Sequence, residues 1–138
     1  MKKSITPITL LALILFVCSC ARKAMFTKSV VVPSASGQVK VKKDNNSNYS
    51  IRVSVRDLTV PENLVPPRNT YVVWSQTKKG KLINLGKINT SRSMLARGYK
   101  ASLSAVSPAR PQRIFITAED RATVESPGTS VILTTEDF

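Results

Sequence analysis

The sequence predicts an all-β chain. Residues 29–138 are expected to form an antiparallel, immunoglobulin-like β-sandwich of seven to eight short strands, behind an N-terminal signal segment. Three observations carry this reading. Apolar residues recur with a period of two, as in strands with one wet and one dry face. Glycine, proline, asparagine and aspartate fall between the alternating runs, where turns need them. No stretch of the domain holds apolar residues at the 3.6-residue spacing of an amphipathic helix. A small barrel is the alternative closure of the same strands.

Taken in order, residues 29–32 are a short β-branched run. Residues 38–42 alternate, with Val39 and Val41 opposite Lys40 and Lys42, and residues 44–48 are a polar turn. Residues 49–57 alternate most clearly, with Ile51, Val53 and Val55 on one face and Arg52, Ser54 and Arg56 on the other. Pro61, Pro66 and Pro67 exclude a central strand from residues 58–70, which read as a connection between sheets with one helical turn near Glu62. Residues 71–75 are the most hydrophobic strand, with Tyr71 and Val73 on one face and Val72 and Trp74 on the other. Residues 77–80 turn at Gly80 into a hairpin partner over 81–88, in which Gly86 marks a bulge or a close approach. Residues 89–93 are polar, 95–105 form a further strand with a bulge at Gly98, and Pro108 and Pro111 end it. Residues 113–119 alternate again, Pro127 and Gly128 turn, and residues 130–135 close the fold.

The first nineteen residues have a different logic. Lys2 and Lys3 form a positive start, residues 8–17 are nearly all apolar, and Val17-Cys18-Ser19-Cys20 follows. The apolar run is short for a membrane span, which needs about 20 such residues, and fits a secretory signal. Val17, Ser19 and Cys20 resemble the lipobox of bacterial lipoproteins, with Cys18 where Ala, Ser or Thr is usual. The resemblance implies cleavage between Ser19 and Cys20, diacylglycerol on the Cys20 sulfur and acylation of its new amine. Several acyl chains anchor stably where a single one does not. The expected organisation is a signal peptide over 1–19, a lipidated tether over 20–28 and the sandwich over 29–138. Cleavage would leave one cysteine, occupied by lipid, and no disulfide.

The chain carries 21 basic and 8 acidic side chains and no histidine. Without Lys2 and Lys3 the net charge of +13 falls to about +11, still a field that favours anionic surfaces. Lys40 and Lys42, with Lys43, and Lys78, Lys79 and Lys81 are the candidate anion-binding residues, set against a solvated basic face with no ligand. Export argues against nucleic acid as the partner. The expected partners are the membrane, through lipid on Cys20, and another envelope protein or an anionic lipid or glycan. Ala21 follows the cysteine where Asp would retain many lipoproteins at the inner membrane, so the outer membrane, facing the periplasm, is preferred.

Zero histidine removes the commonest general base and metal ligand. Glu119 and Asp120 are adjacent and in a strand would point to opposite faces. No catalytic residue, metal site or cofactor is expected, and the chain is read as no enzyme. Trp74 is expected in the core rather than stacking on a sugar. Tyr49 and Tyr99, near basic residues, are better aromatic candidates for a glycan surface.

Four stretches carry a further resemblance. Tyr71-Val72-Val73-Trp74, Leu85-Gly86-Lys87-Ile88, Ile116-Thr117-Ala118-Glu119, and Pro127-Gly128 before Val131-Ile132-Leu133 stand in an order similar to the extracytoplasmic sandwich of anti-sigma-K-like factors. The likeness covers roughly residues 50–135 and implies the fold. It implies no catalytic residue. Relatives carry a cytoplasmic helical domain where this chain has a signal, and many have a His/Cys zinc site that a chain without histidine cannot build, so sigma-factor binding is not expected. The function expected is a membrane-anchored, non-catalytic interaction or structural module with a basic surface. The alternative is an extracytoplasmic sensory module of a regulatory pathway.

Overall fold

The structure is a computed structural model that describes residues 20–92 and 98–138. Two antiparallel sheets pack face to face. Strands β1 (Arg22–Met25), β2 (Ser36–Lys43), β3 (Tyr49–Leu58), β4 (Thr70–Thr77), β5 (Leu82–Lys87), β6 (Asn89–Arg92), β7 (Tyr99–Ser107), β8 (Pro111–Glu119) and β9 (Val131–Thr134) follow in chain order. The first sheet runs β1-β2-β3-β7-β6 and the second β5-β4-β8-β9. This is the antiparallel sandwich that the alternation predicts, with nine described strands in place of seven to eight.

The core lies between the sheets and follows the period of two. Val39, Val41, Ile51, Val53, Val55 and Ala101 face inward from the first sheet, and Tyr71, Val73, Ile114, Ile116 and Ala118 from the second. Their neighbours Lys40, Arg52, Ser54 and Arg56 are exposed. At roughly 25 cal/mol per Å² of apolar area removed from water, this seam is the main stabilising term.

The two additional strands come from segments without alternation. The tether expected over 20–28 is not slack chain. Arg22–Met25 pairs along β2, with Arg22 opposite Val41 and Met25 opposite Gln38. A free sheet edge presents unpaired N–H and C=O groups, and a short extended segment beside it satisfies them. The chain then crosses to the other sheet, where Thr27 N donates to Thr134 O at 2.8 Å and Phe26 bridges Thr135. On the opposite side β5 pairs with β4 and β6 with β7, and only Ile88 separates them. Ile88 is buried and its N–H donates to Tyr71 O at 3.1 Å, which holds the sheet switch. The polar stretch beginning at Asn89 is thus an edge strand. The run at 29–32 is not a strand: Ser29 Oγ accepts from Val32 N at 2.9 Å and forms a tight turn.

Glycine positions behave as local chemistry requires. Gly80 (φ 80°) turns the β4–β5 hairpin, and Gly86 (φ 111°) sits where the register shifts between Val73 and Trp74. The bulge expected at Gly98 lies on the partner strand instead. Asp57 takes φ 55° where the β3–β7 register shifts, and a Cβ on Gly98 would meet the Asp57 backbone. The prolines at 61–67 behave as expected, with a single 3₁₀ turn over Pro61–Asn63. The part of the 95–105 strand expectation that falls on 95–97 lies outside the described residues.

Candidate functional site, a basic face and a basic end

The outer face of the five-stranded sheet collects cations by register. Lys23 lies opposite Lys40, Lys40 opposite Arg52, and Arg52 opposite Ser104. One row across four strands therefore reads Lys-Lys-Arg-Ser. The adjoining rows read Gln38-Ser54-Ser102-Asn89 and Lys42-Ser50-Val106. Arg56 and Lys100 extend the same exposed surface. Like charges placed directly opposite each other repel. Asp57, at the bulge that ends β3, is the only acidic residue in these five strands. Among the described residues the ion pairs are Arg68 with Asp120 and Arg113 with Asp137, and neither lies on this face. The face carries unneutralised cations and serine hydroxyls, with Met25 and Val106 as exposed apolar side chains among them.

The lysines singled out from the sequence fall in two places. Lys40 and Lys42 stand on this face. Lys78, Lys79 and Lys81 are exposed at the tip of the β4–β5 hairpin. Pairing of Thr77 with Pro111, and of Tyr49 with both Lys43 and Ser107, brings that tip to the same end of the sandwich as the β2–β3 and β7–β8 turns. Cys20 is exposed and lies at this end too. Ser19, the other half of the expected cleavage site, lies outside the described residues.

The aromatic candidates sort differently. Trp74 is fully buried, so it offers no stacking platform, but it lies outside the main core. It projects from the outer face of the four-stranded sheet and stacks on Phe115 with centroids 6.4 Å apart. The loop 120–130 lies over this second cluster. Asn84 Nδ2 donates to Ala122 O at 3.0 Å and Val124 O at 2.9 Å, and Gly128 N donates to Glu119 Oε1 at 2.7 Å. Beneath it Trp74 Nε1 donates to Thr117 Oγ1 at 2.9 Å, and Thr117 Oγ1 donates to Glu119 Oε1 at 2.6 Å. Glu119 is therefore a buried carboxylate with two donors, a structural clasp for the loop. Tyr49 is half-buried against the core beside Cys20, and Tyr99 is half-buried in β7.

Among the described residues no three His, Cys, Asp or Glu side chains gather in a metal-binding group, and no helix is long and apolar enough to cross a membrane. Tyr71 has a raised phenol pKa, caused by burial and then by the Glu62 carboxylate, and its hydroxyl donates to Thr59 O at 2.9 Å. Comparison with protein families, curated proteins and solved structures finds no match to this chain.

Proposed function

We propose that this chain is a lipid-anchored lipoprotein of the bacterial envelope, held through Cys20, whose sandwich is a non-catalytic interaction module for an anionic envelope component. The signal-like residues 1–19 and the cysteine after Ser19 support the anchor. The single observation that carries the binding reading is the Lys23-Lys40-Arg52 row. Three cations in directly opposed cross-strand positions, with no carboxylate between them, weaken the free sheet and gain most from a polyanion laid across it. The serines of the neighbouring rows supply hydroxyls to a phosphate- or carboxylate-bearing glycan, such as the lipopolysaccharide of an outer membrane.

The test uses the full chain as the bacterium processes it. Mass spectrometry of the mature N-terminal peptide is expected to find diacylglycerol on Cys20. An intact Met1 would overturn the anchor. Affinity for immobilised lipopolysaccharide is expected to fall steeply between low and high salt. It is also expected to fall when Lys40 and Arg52 are changed to Gln. Affinity unchanged by salt and by these substitutions would remove the basic face from the function.

A further inference from the structure

We infer that the Cys20 end of the sandwich is a membrane-docking surface, and that a groove beside Cys20 receives the phosphate of an anionic phospholipid headgroup. The inference rests on the lipoprotein reading above and adds an orientation and a ligand class to it.

The groove has a volume of about 270 Å³. Its floor is apolar, built by Val41, Tyr49, Pro111 and Phe138, and its rim carries Arg22, Lys43 and Arg110 around Cys20. A second hollow of about 220 Å³ adjoins it, shares Arg110, Pro111 and Phe138, and adds Lys78 and Gln112. With Lys79 and Lys81 on the same hairpin tip, six exposed cations surround this end. The acidic side chains nearby are engaged or stand to the side. Asp44 Oδ1 accepts from Asn46 N and Asn48 N at 2.8 and 2.9 Å. Asp137 is held by Arg113 and Gln112. Glu136 lines a different hollow, along β1. At the other end of the strands stand Asp57, Glu62 and Asp120. The Cys20 end thus groups cations around a groove, whereas at the other end carboxylates and cations are mixed, with Arg56, Arg68 and Arg92 beside Asp57, Glu62 and Asp120.

Chain connectivity makes this grouping of cations consequential. Only Ala21 separates Cys20 from the first paired residue of β1. One residue spans about 3.5 Å, so lipid on Cys20 leaves the groove no room to stand off from the headgroups. An amphipathic tyrosine and an apolar floor suit the boundary between headgroups and acyl chains. Each basic side chain close to an anionic leaflet favours the docked state by about fivefold.

The experiment uses the full chain, purified with its lipid and reconstituted into vesicles of phosphatidylcholine alone or with phosphatidylglycerol. Lysine reactivity is read by acetylation and mass spectrometry, and the N-terminal peptide is weighed in the same digest. Lys43 and Lys78 are expected to acetylate about fivefold more slowly on the anionic vesicles, with high salt restoring the rate. Lys40 and Lys100, on the outer sheet face, are expected to react equally on both vesicles. Changing Arg22 and Arg110 to Gln should weaken the slowing at Lys43 without lowering the melting temperature.

Equal rates at Lys43 and Lys78 on both vesicles, with Cys20 lipidated, would overturn the docking surface and leave the anchor standing. Slowing at Lys100 as large as at Lys43 would overturn the orientation. Slowing produced on neutral vesicles by free glycerol phosphate, or only by added lipopolysaccharide, would overturn the phospholipid assignment. An N-terminal peptide without lipid would overturn both the anchor and the inference built on it.

Discussion

Thr117 does two jobs with one oxygen. It accepts from the Trp74 indole and donates to the Glu119 carboxylate, all within a fully buried patch. Replacing it with Val keeps the shape, strands the Trp74 indole and leaves Glu119 with Gly128 N as its remaining donor, and an unsatisfied buried group costs about 1–3 kcal/mol. Thr117→Val is therefore expected to destabilise by about 2 kcal/mol in urea unfolding and to change the Trp74 fluorescence of the folded protein. An unchanged midpoint would mean that the Trp74–Thr117–Glu119 hydrogen-bond chain adds nothing to stability. Tyr71 gives a pH signature. Its phenol is held protonated in the folded chain by burial, with the Glu62 carboxylate adding to the effect. Above about pH 10, the ordinary tyrosine value, the unfolded chain releases this proton and the folded chain keeps it, so stability falls as pH rises. Tyr71→Phe is expected to be less stable at neutral pH, because Thr59 O loses its donor. The gap should close above about pH 10 as the wild type alone loses stability. A constant gap from neutral to alkaline pH would exclude Tyr71 as the source.

At the scale of elements, edge strands and close approaches decide what alternation leaves open. A Cβ at Gly37 would clash with Ser54 O and lie 3.0 Å from Val55 Cα, both backbone atoms of the partner strand. Gly37→Ala must therefore push β2 from β3. The expected loss is about 1–3 kcal/mol, as for other overpacked sites, measured as a lower thermal midpoint. A neutral result would show that β2 can shift at no cost. The sequence made β2 and β3 legible because each has a dry face opposite a wet one, and β4, β5, β7, β8 and β9 legible as apolar or alternating runs between turn residues, although β4 is buried on both faces. It could not reveal β6, whose Asn89–Arg92 residues are all exposed, or β1, whose pairing depends on an edge supplied by residues far along the chain. Trp74 was legible as buried, but its place was not. It needs the loop 120–130 as a cover, and that loop has no periodicity to read. Of the candidate site, the lysines were visible as runs. Their division between a face and an end depends on register, and Arg52 and Arg110 join them only in three dimensions.

For the whole molecule, the decisive quantity is a charge field that the fold does not neutralise. A net charge of +13 over 138 residues is spread so that β1, β2 and β3 place three cations in one row. Such self-repulsion opposes compactness and is relieved by salt. The wild type is therefore expected to melt at a higher temperature as sodium chloride is added from low to moderate concentration. Lys40→Gln removes the middle member of the row, leaving Lys23 and Arg52 on strands two apart. The variant should melt above the wild type at low salt, and the difference should shrink as salt rises, because screening and substitution relieve the same repulsion. The same change is expected to weaken capture by lipopolysaccharide. A substitution that stabilises the free protein while weakening its binding would identify the row as a feature maintained for a ligand. A Lys40→Gln variant that melts at or below the wild type at low salt would mean that the row carries no repulsion to relieve. The face would then be an ordinary solvated surface, and binding would fall to the Cys20 end alone.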